Sequence, residues 1–338
     1  MDFTKNVKEM NSIKKVSLSI DSLFRQNYSS TNTSNYVFQL PSPIENVLSM
    51  KISAVEIPNF WYMFSSLQRN NEFIITVYNY KIKNNNNIAH IQSTVYPITF
   101  PEGNYVNIDF VNFMNAYFLN IEGGLKNIVV EIDVNTGKTI FRARHKIDDA
   151  FIPCPFDSTT PYYSPDFYFT LDFRIPDIER PIYRNMGWTL GFTREFYLVL
   201  GENTFSTNFI PNTLTNPNHV ITFHAYCKSE GTYGNSLYNY IFLDIEDNNK
   251  SFTSNEIISC LPDCYVKGNN IIARITVNTT SNSINLTSAA DDISKTREYY
   301  GPVTISNLHI RLLDKFGELI ELNGNNYSFL IEFTTIIV

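Results

Sequence analysis

From Lys15 onward the chain consists of short runs of Val, Ile, Phe and Tyr set apart by Asn, Ser, Pro and Gly, the signature of strands joined by turns. Val16-Ser17-Leu18-Ser19-Ile20 alternates apolar and polar residues, and Val47 to Ile57 does so again before Pro58. A period of two places the apolar side chains of a segment on one face, so each run is expected to be a strand with one buried face. Tyr36 to Leu40 forms another run that stops at Pro41, and the close spacing of these segments predicts antiparallel neighbours. Further strands are expected at Phe73 to Tyr78 and Val95 to Phe100, and later at Phe167 to Phe173, Phe196 to Leu200, Val220 to Ala225, Tyr240 to Ile245, Ile271 to Val277, Val303 to Leu313 and Tyr327 to Ile337. Ile128 to Val134 and Thr139 to Arg144 flank Asn135-Thr136-Gly137-Lys138, where the glycine supplies the positive φ that a hairpin loop needs.

One segment departs from this pattern. Phe110, Val111, Met114, Tyr117, Phe118 and Ile121 recur at helical spacing, which predicts an amphipathic helix over 107–121 stopped by Gly123-Gly124. Residues 1–13 are polar and without period, as in a flexible arm. Residues 14–149 read as a first β half. Pro153, Pro155, Pro161 and Pro165 mark 150–165 as a connection, and 166–338 reads as a second β half. That half is expected to close with a hairpin over 302–337: Leu308, Ile310 and Leu312 share one face, Asp314-Lys315-Phe316-Gly317 turns, and Phe329, Ile331 and Phe333 share the face of the returning strand. The expected fold class is all-β, an antiparallel jelly-roll-type β-sandwich built as one unit or two.

Composition narrows the function classes. Charged residues are only 17% of the 338, below the usual share of about 25%, so the surface has few charges to keep it apart from neighbours. Aromatics reach 14%, and these residues favour both pleated half-buried positions and the dry centres of interfaces. The net charge of −7 is spread without a basic stripe, which argues against a nucleic-acid groove, and no apolar run is long enough to span a bilayer as a helix. The N-terminus carries charges where a signal peptide needs an apolar core, so the chain is expected to be made in the cytoplasm with Cys154, Cys227, Cys260 and Cys264 reduced.

Nothing in the sequence matches a zincin helix, a Walker loop, a nucleophile elbow or a dinucleotide fingerprint, so neither catalytic residues nor a cofactor are expected. Cys260 and Cys264 with His224 make an incomplete zinc set, and two thiols around a turn at Pro262-Asp263 explain them better. The acidic pairs Asp291-Asp292 and Glu246-Asp247 lack the oxygen-ligand spacing of a calcium loop and are expected to be solvated charge.

Several segments together resemble the jelly-roll minor capsid and penton-type virion proteins of nucleocytoplasmic large DNA viruses. They are Ile20-Asp21-Ser22-Leu23-Phe24-Arg25 with Asn35 to Pro41; Val47 to Pro58; Ile98-Thr99-Phe100-Pro101-Glu102-Gly103-Asn104-Tyr105; Gly187-Trp188-Thr189-Leu190-Gly191-Phe192; and Arg297 to Pro302 with Ile310 to Gly317 and Asn326 to Phe333. The middle of the chain, outside the Gly-Trp stretch, shows little of the pattern. The resemblance implies an Asp21–Arg25 ion pair locking the first turn, Gly103 turning the chain, Tyr105 anchoring the helix start, and close backbone packing around Trp188. It further implies a structural role in an icosahedral shell, in contact with a major capsid protein and other capsid proteins, as a homo- or hetero-oligomer. Minor capsid protein, vertex penton, and fibre or receptor-binding module remain open. Candidate contact aromatics are Phe60, Trp61, Tyr62 and Phe64, with Tyr162, Tyr163, Phe167 and Tyr168, though core packing claims the same residue types.

Overall fold

The structure is a computed structural model in which residues 13–83, 87–121, 123–144, 168–175, 177, 180–200, 217–222, 226–234, 239–249, 257–260, 265–268, 270–277, 284–288 and 296–337 are described. In chain order the strands are β1 (Ile13–Asp21), β2 (Asn35–Pro58), β3 (Glu72–Lys83), β4 (Asn87–Thr99), β5 (Ile128–Ile132), β6 (Thr139–Ala143), β7 (Tyr168–Asp172), β8 (Phe196–Val199), β9 (His219–Thr222) and β10 (Tyr226–Lys228). They continue as β11 (Tyr240–Glu246), β12 (Ile257–Cys260), β13 (Tyr265–Gly268), β14 (Ile271–Thr276), β15 (Ile284–Ser288), β16 (Arg297–Leu313) and β17 (Ser328–Ile336). Helix α1 (Asn107–Asn120) falls where the periodicity predicts it, and α2 (Met186–Thr189) is a single turn.

The chain forms two compact units, one from Met1–Trp61 with Tyr238–Val338 and one from Tyr62–Leu237. This partition differs from a cut at 150–165, because the first unit is assembled from both ends of the chain. That expected connection lies wholly outside the described residues.

The first unit holds a seven-stranded sheet ordered β1-β17-β2-β16-β11-β14, with β15 also paired to β2. Strand β2 organises it. Its 24 residues pair with β16 along the first part and with β17 and β15 along the second. From Tyr36 to Glu56 a straight strand at roughly 3.3 Å per residue would run on the order of 65 Å. Yet the Tyr36 ring lies 6.3 Å from that of Tyr327, whose chain neighbour Ser328 pairs with Glu56. The sheet therefore folds over on itself. The bend has visible causes: Asn46 takes a left-handed φ of 57°, and the β2–β16 register shifts repeatedly between Glu298 and Asn307, as β-bulges do. Val47, Met50, Ile52, Val55 and Ile57 line the buried side with Leu308, Ile310, Leu312, Ile331 and Phe333.

The expected closing hairpin is not one. Strands β16 and β17 do not pair with each other; β2 runs between them and bonds to both. The turn at Asp314 to Gly317 does form, with Asp314 Oδ1 accepting from the amides of Phe316 and Glu318 and Gly317 at φ 86°, but it closes on a short bridge from Leu313 to Leu319. The two chain ends do meet in one sheet, Val16 opposite Phe333 and Ile20 opposite Phe329.

The second unit packs a five-stranded sheet, β4-β3-β7-β8-β9, and a three-stranded sheet, β10-β6-β5, around one core. Phe73 of β3 meets Phe141 of β6 edge-on at 5.9 Å, which is the face-to-face contact of a sandwich. Among the described residues of this unit pairing is antiparallel except for β8 with β9. Strands β5 and β6 form the hairpin expected around Asn135 to Lys138. Helix α1 buries Phe110, Met114 and Phe118 in the core, and its Asn115 side chain both donates to the Val130 carbonyl and accepts from the Val130 amide, satisfying the free edge of β5. The architecture is an all-β sandwich with one substantial helix among the described residues.

Candidate interaction surface

After β1 the chain makes a single 3-10 turn, Ser22–Phe24. Asp21 caps it, its Oδ1 accepting from the Leu23 amide at 2.8 Å. Arg25, 8% exposed, fixes the rest of the loop. Its Nη1 donates to the Ser22 carbonyl at 2.7 Å and to Asn326 Oδ1 at 3.0 Å, Nη2 to the Tyr28 carbonyl at 3.0 Å, and Nε to Thr31 Oγ1 at 3.1 Å. The guanidinium also lies 4.0 Å over the Tyr28 ring. The partners of Arg25 are thus carbonyls, a hydroxyl and an amide oxygen, not the Asp21 carboxylate. The expected ion pair gives way because the planar fork can satisfy several buried acceptors of the loop at once, while Asp21 is used as a helix cap. Ser22 completes the joint, its amide donating to the Tyr327 carbonyl and its Oγ accepting from the Tyr327 amide, both at 2.9 Å.

This rigid loop presents apolar side chains to solvent. Leu23 is 47% exposed, Phe24 70% and Tyr28 45%. Beside them lies an open groove of about 430 Å³ lined by Asp21, Leu23, Glu56, Pro58, Asn326, Tyr327 and Ser328. Its two carboxylates face no basic residue among that lining; Glu56 Oε2 accepts from Ser328 Oγ at 2.7 Å.

The other singled-out residues fall in separate places. In the second unit Phe64 and Gly103 exchange both backbone hydrogen bonds, and Gly103 has φ 145°, outside the range side-chain-bearing residues favour. Phe64 is fully buried against Phe100, Phe110 and Tyr105, and the Tyr105 carbonyl accepts from Tyr233 Oη at 2.9 Å. Ser66 donates to Glu102 from Oγ and from the amide, which holds that carboxyl below its ordinary range. Trp188 is half-buried and edge-on to Tyr183. A Cβ on Gly187 would sit 2.6 Å from the Phe173 ring, and one on Gly191, already at φ 91°, would sit 2.4 Å from the Gly231 carbonyl oxygen. Of the crowded aromatic run, Trp61 and Phe64 are buried, Phe60 is half-buried and Tyr62 is exposed. Tyr162, Tyr163 and Phe167 lie outside the described residues, as do Asp291, Asp292, His224, Cys154 and Cys264.

One cluster escaped sequence reasoning. Asp247, expected to be solvated, is buried, and its Oδ2 accepts from Arg297 Nη1 at 2.8 Å and from Tyr299 Oη at 2.6 Å, while Arg297 Nη2 donates to the Asn270 carbonyl. Burial beside this carboxylate pushes the Tyr299 hydroxyl well up. Among the described residues no group of His, Cys, Asp and Glu is arranged to hold a metal ion, and no helix is long and apolar enough to cross a membrane. Cys227 is free and buried in the second unit's core, which pushes its thiol up.

No family model and no curated protein matches the chain. Among solved structures the chain is similar to the mavirus penton protein. That likeness has a TM-score of 0.47 at 9% sequence identity, over 96% of this chain and all of that one.

Proposed function

We propose that the protein is a virion structural component, a minor capsid protein that builds or cements an icosahedral shell by burying complementary surface. The observation that carries this proposal is the Asp21–Arg25 loop. Leu23, Phe24 and Tyr28 are exposed on a segment that Arg25 holds rigid through buried hydrogen bonds. Exposed apolar groups on a pre-organised loop beside a groove are what a permanent contact uses, because little entropy is lost on docking. The low charge content supports the same role, and so does the resemblance of this loop and of the segments around it to large-DNA-virus capsid proteins. The work of such a protein is association, without catalysis, cofactor or nucleic acid.

The test is to quantify the chain by mass spectrometry in purified, nuclease- and protease-treated particles of the encoding virus, and to label intact and opened particles with an antibody. A capsid role requires enrichment with the shell at a fixed ratio to the major capsid protein. Presence in infected cells with absence from particles contradicts it.

A further inference from the structure

Strand β1 is the outermost strand of its sheet, bonded to β17 on one side and to no other strand among the described residues. Its open edge is nine residues long and is charged oppositely at its two ends, with Lys14 and Lys15 at the start and Asp21, beside Glu56, at the finish. One face carries the half-buried Val16 and Leu18 and the buried Ile20, and the other carries the exposed Lys15, Ser17 and Ser19 with Asp21.

We infer that two copies of this chain associate through their β1 edges, paired antiparallel about a two-fold axis at Leu18. When such an axis is perpendicular to the sheet, directly opposed residues must point to the same face, so only registers whose paired residue numbers have an even sum are allowed. The register centred on Leu18 sets Lys15 opposite Asp21, Val16 opposite Ile20 and Ser17 opposite Ser19. Apolar residues meet apolar, polar meet polar, and the opposite charges meet twice, once at each end. A shift of the centre by one residue in either direction breaks the Lys15–Asp21 match. Asp21 is free to receive the lysine, since Oδ1 caps Leu23 while Oδ2 accepts nothing among the described residues. Lys15, with its side chain 66% exposed, reaches Glu332 of its own chain at 2.9 Å and can be shared with the new carboxylate. The same register carries Ile13, 40% exposed, and Lys14 of one copy toward Leu23, Glu56 and Pro58 of the other, so the groove beside the Asp21 turn receives the start of its partner's strand. This inference concerns the free chain and does not rest on a capsid role.

The full-length chain is examined by sedimentation velocity over a range of concentrations, at low and high salt, beside K15E, D21K, and an equimolar mixture of the two variants. The expected result is a concentration-dependent dimer for the natural chain, monomers for each variant alone, and recovery of the dimer in the mixture, where both end pairs become attractive. Because D21K also removes the turn's cap, D21N serves as a second variant that retains a capping oxygen; it should weaken the dimer about tenfold, the loss of two exposed ion pairs, with the melting temperature confirming that the chain is folded. A natural chain that stays monomeric, a dimer unchanged by K15E, or a mixture of folded variants that stays monomeric overturns the inference.

Discussion

Arg25 donates to the side-chain oxygen of Asn326 at 3.0 Å, joining residues 301 positions apart in the chain. The contact ties the turn after the first strand to the entry of the last, so the loop that carries Leu23 and Phe24 is anchored to the sheet. Loss of the guanidinium strands several carbonyl groups. R25A is expected to destabilise the protein by about 2–4 kcal/mol. R25K keeps the charge without the fork and should recover less than half of that. Chemical denaturation followed by tryptophan fluorescence measures both, and a loss below about 0.5 kcal/mol for R25A is incompatible with a structural clamp.

Two glycines around Trp188 are expected to be intolerant of even a methyl group. G187A drives a Cβ into the Phe173 ring and should cost about 1–3 kcal/mol. G191A adds a positive φ to a backbone clash and should cost more. G301A is the control, with nothing within 4 Å of its new Cβ, and should be neutral in the same thermal melts.

The buried Asp247–Arg297 pair should respond asymmetrically. Removing one partner, as in D247A, leaves a buried charge and is expected to cost about 3–5 kcal/mol. The double variant D247A/R297A should cost less than the sum of the two single changes, since removing both partners leaves no unpaired charge behind. Additive losses in a double-mutant cycle exclude this coupling.

Several tyrosine hydroxyls, those of Tyr36, Tyr197, Tyr233, Tyr299 and Tyr327, are held above the ordinary value of 10.0, in each case chiefly by burial. A raised folded-state value means that the folded chain holds these protons more tightly than the unfolded chain does. The stabilisation is complete below pH 10 and is lost as the pH climbs beyond it. Absorbance at about 295 nm should therefore show a fraction of the tyrosines ionising only together with unfolding; smooth titration of all of them near pH 10 with the fold intact contradicts the burial.

The local elements were legible where alternation reports a face directly: Leu308, Ile310 and Leu312 share a buried face and the stripe from Phe110 to Ile121 folds as its period requires, whereas in Val47 to Ile57 the register shifts against β17 move the buried positions to 47, 50, 52, 55 and 57. Which strands become neighbours was not legible. Phe329, Ile331 and Phe333 alternate in phase with Leu308, Ile310 and Leu312, and nothing local indicates that β2, from the other end of the chain, separates them. Chemistry was misread for the same reason. Glu246 and Asp247 are adjacent acids of similar appearance, and only the arrival of Arg297 and Tyr299 some 50 residues later buries one of them. The resemblance implied an ion pair between Asp21 and Arg25, but the carbonyls of Ser22, Tyr28 and Thr31 offer the guanidinium a better-matched set of acceptors.

The most direct measurement of the assembly role is hydroxyl-radical footprinting of the same protein free in solution and within intact particles. Leu23, Phe24 and Tyr28 should be oxidised readily in the free chain and protected several-fold in the particle, with the exposed Val134 and Leu67 of the second unit oxidised as internal references. Equal oxidation of the loop in both states contradicts its use as a capsid contact.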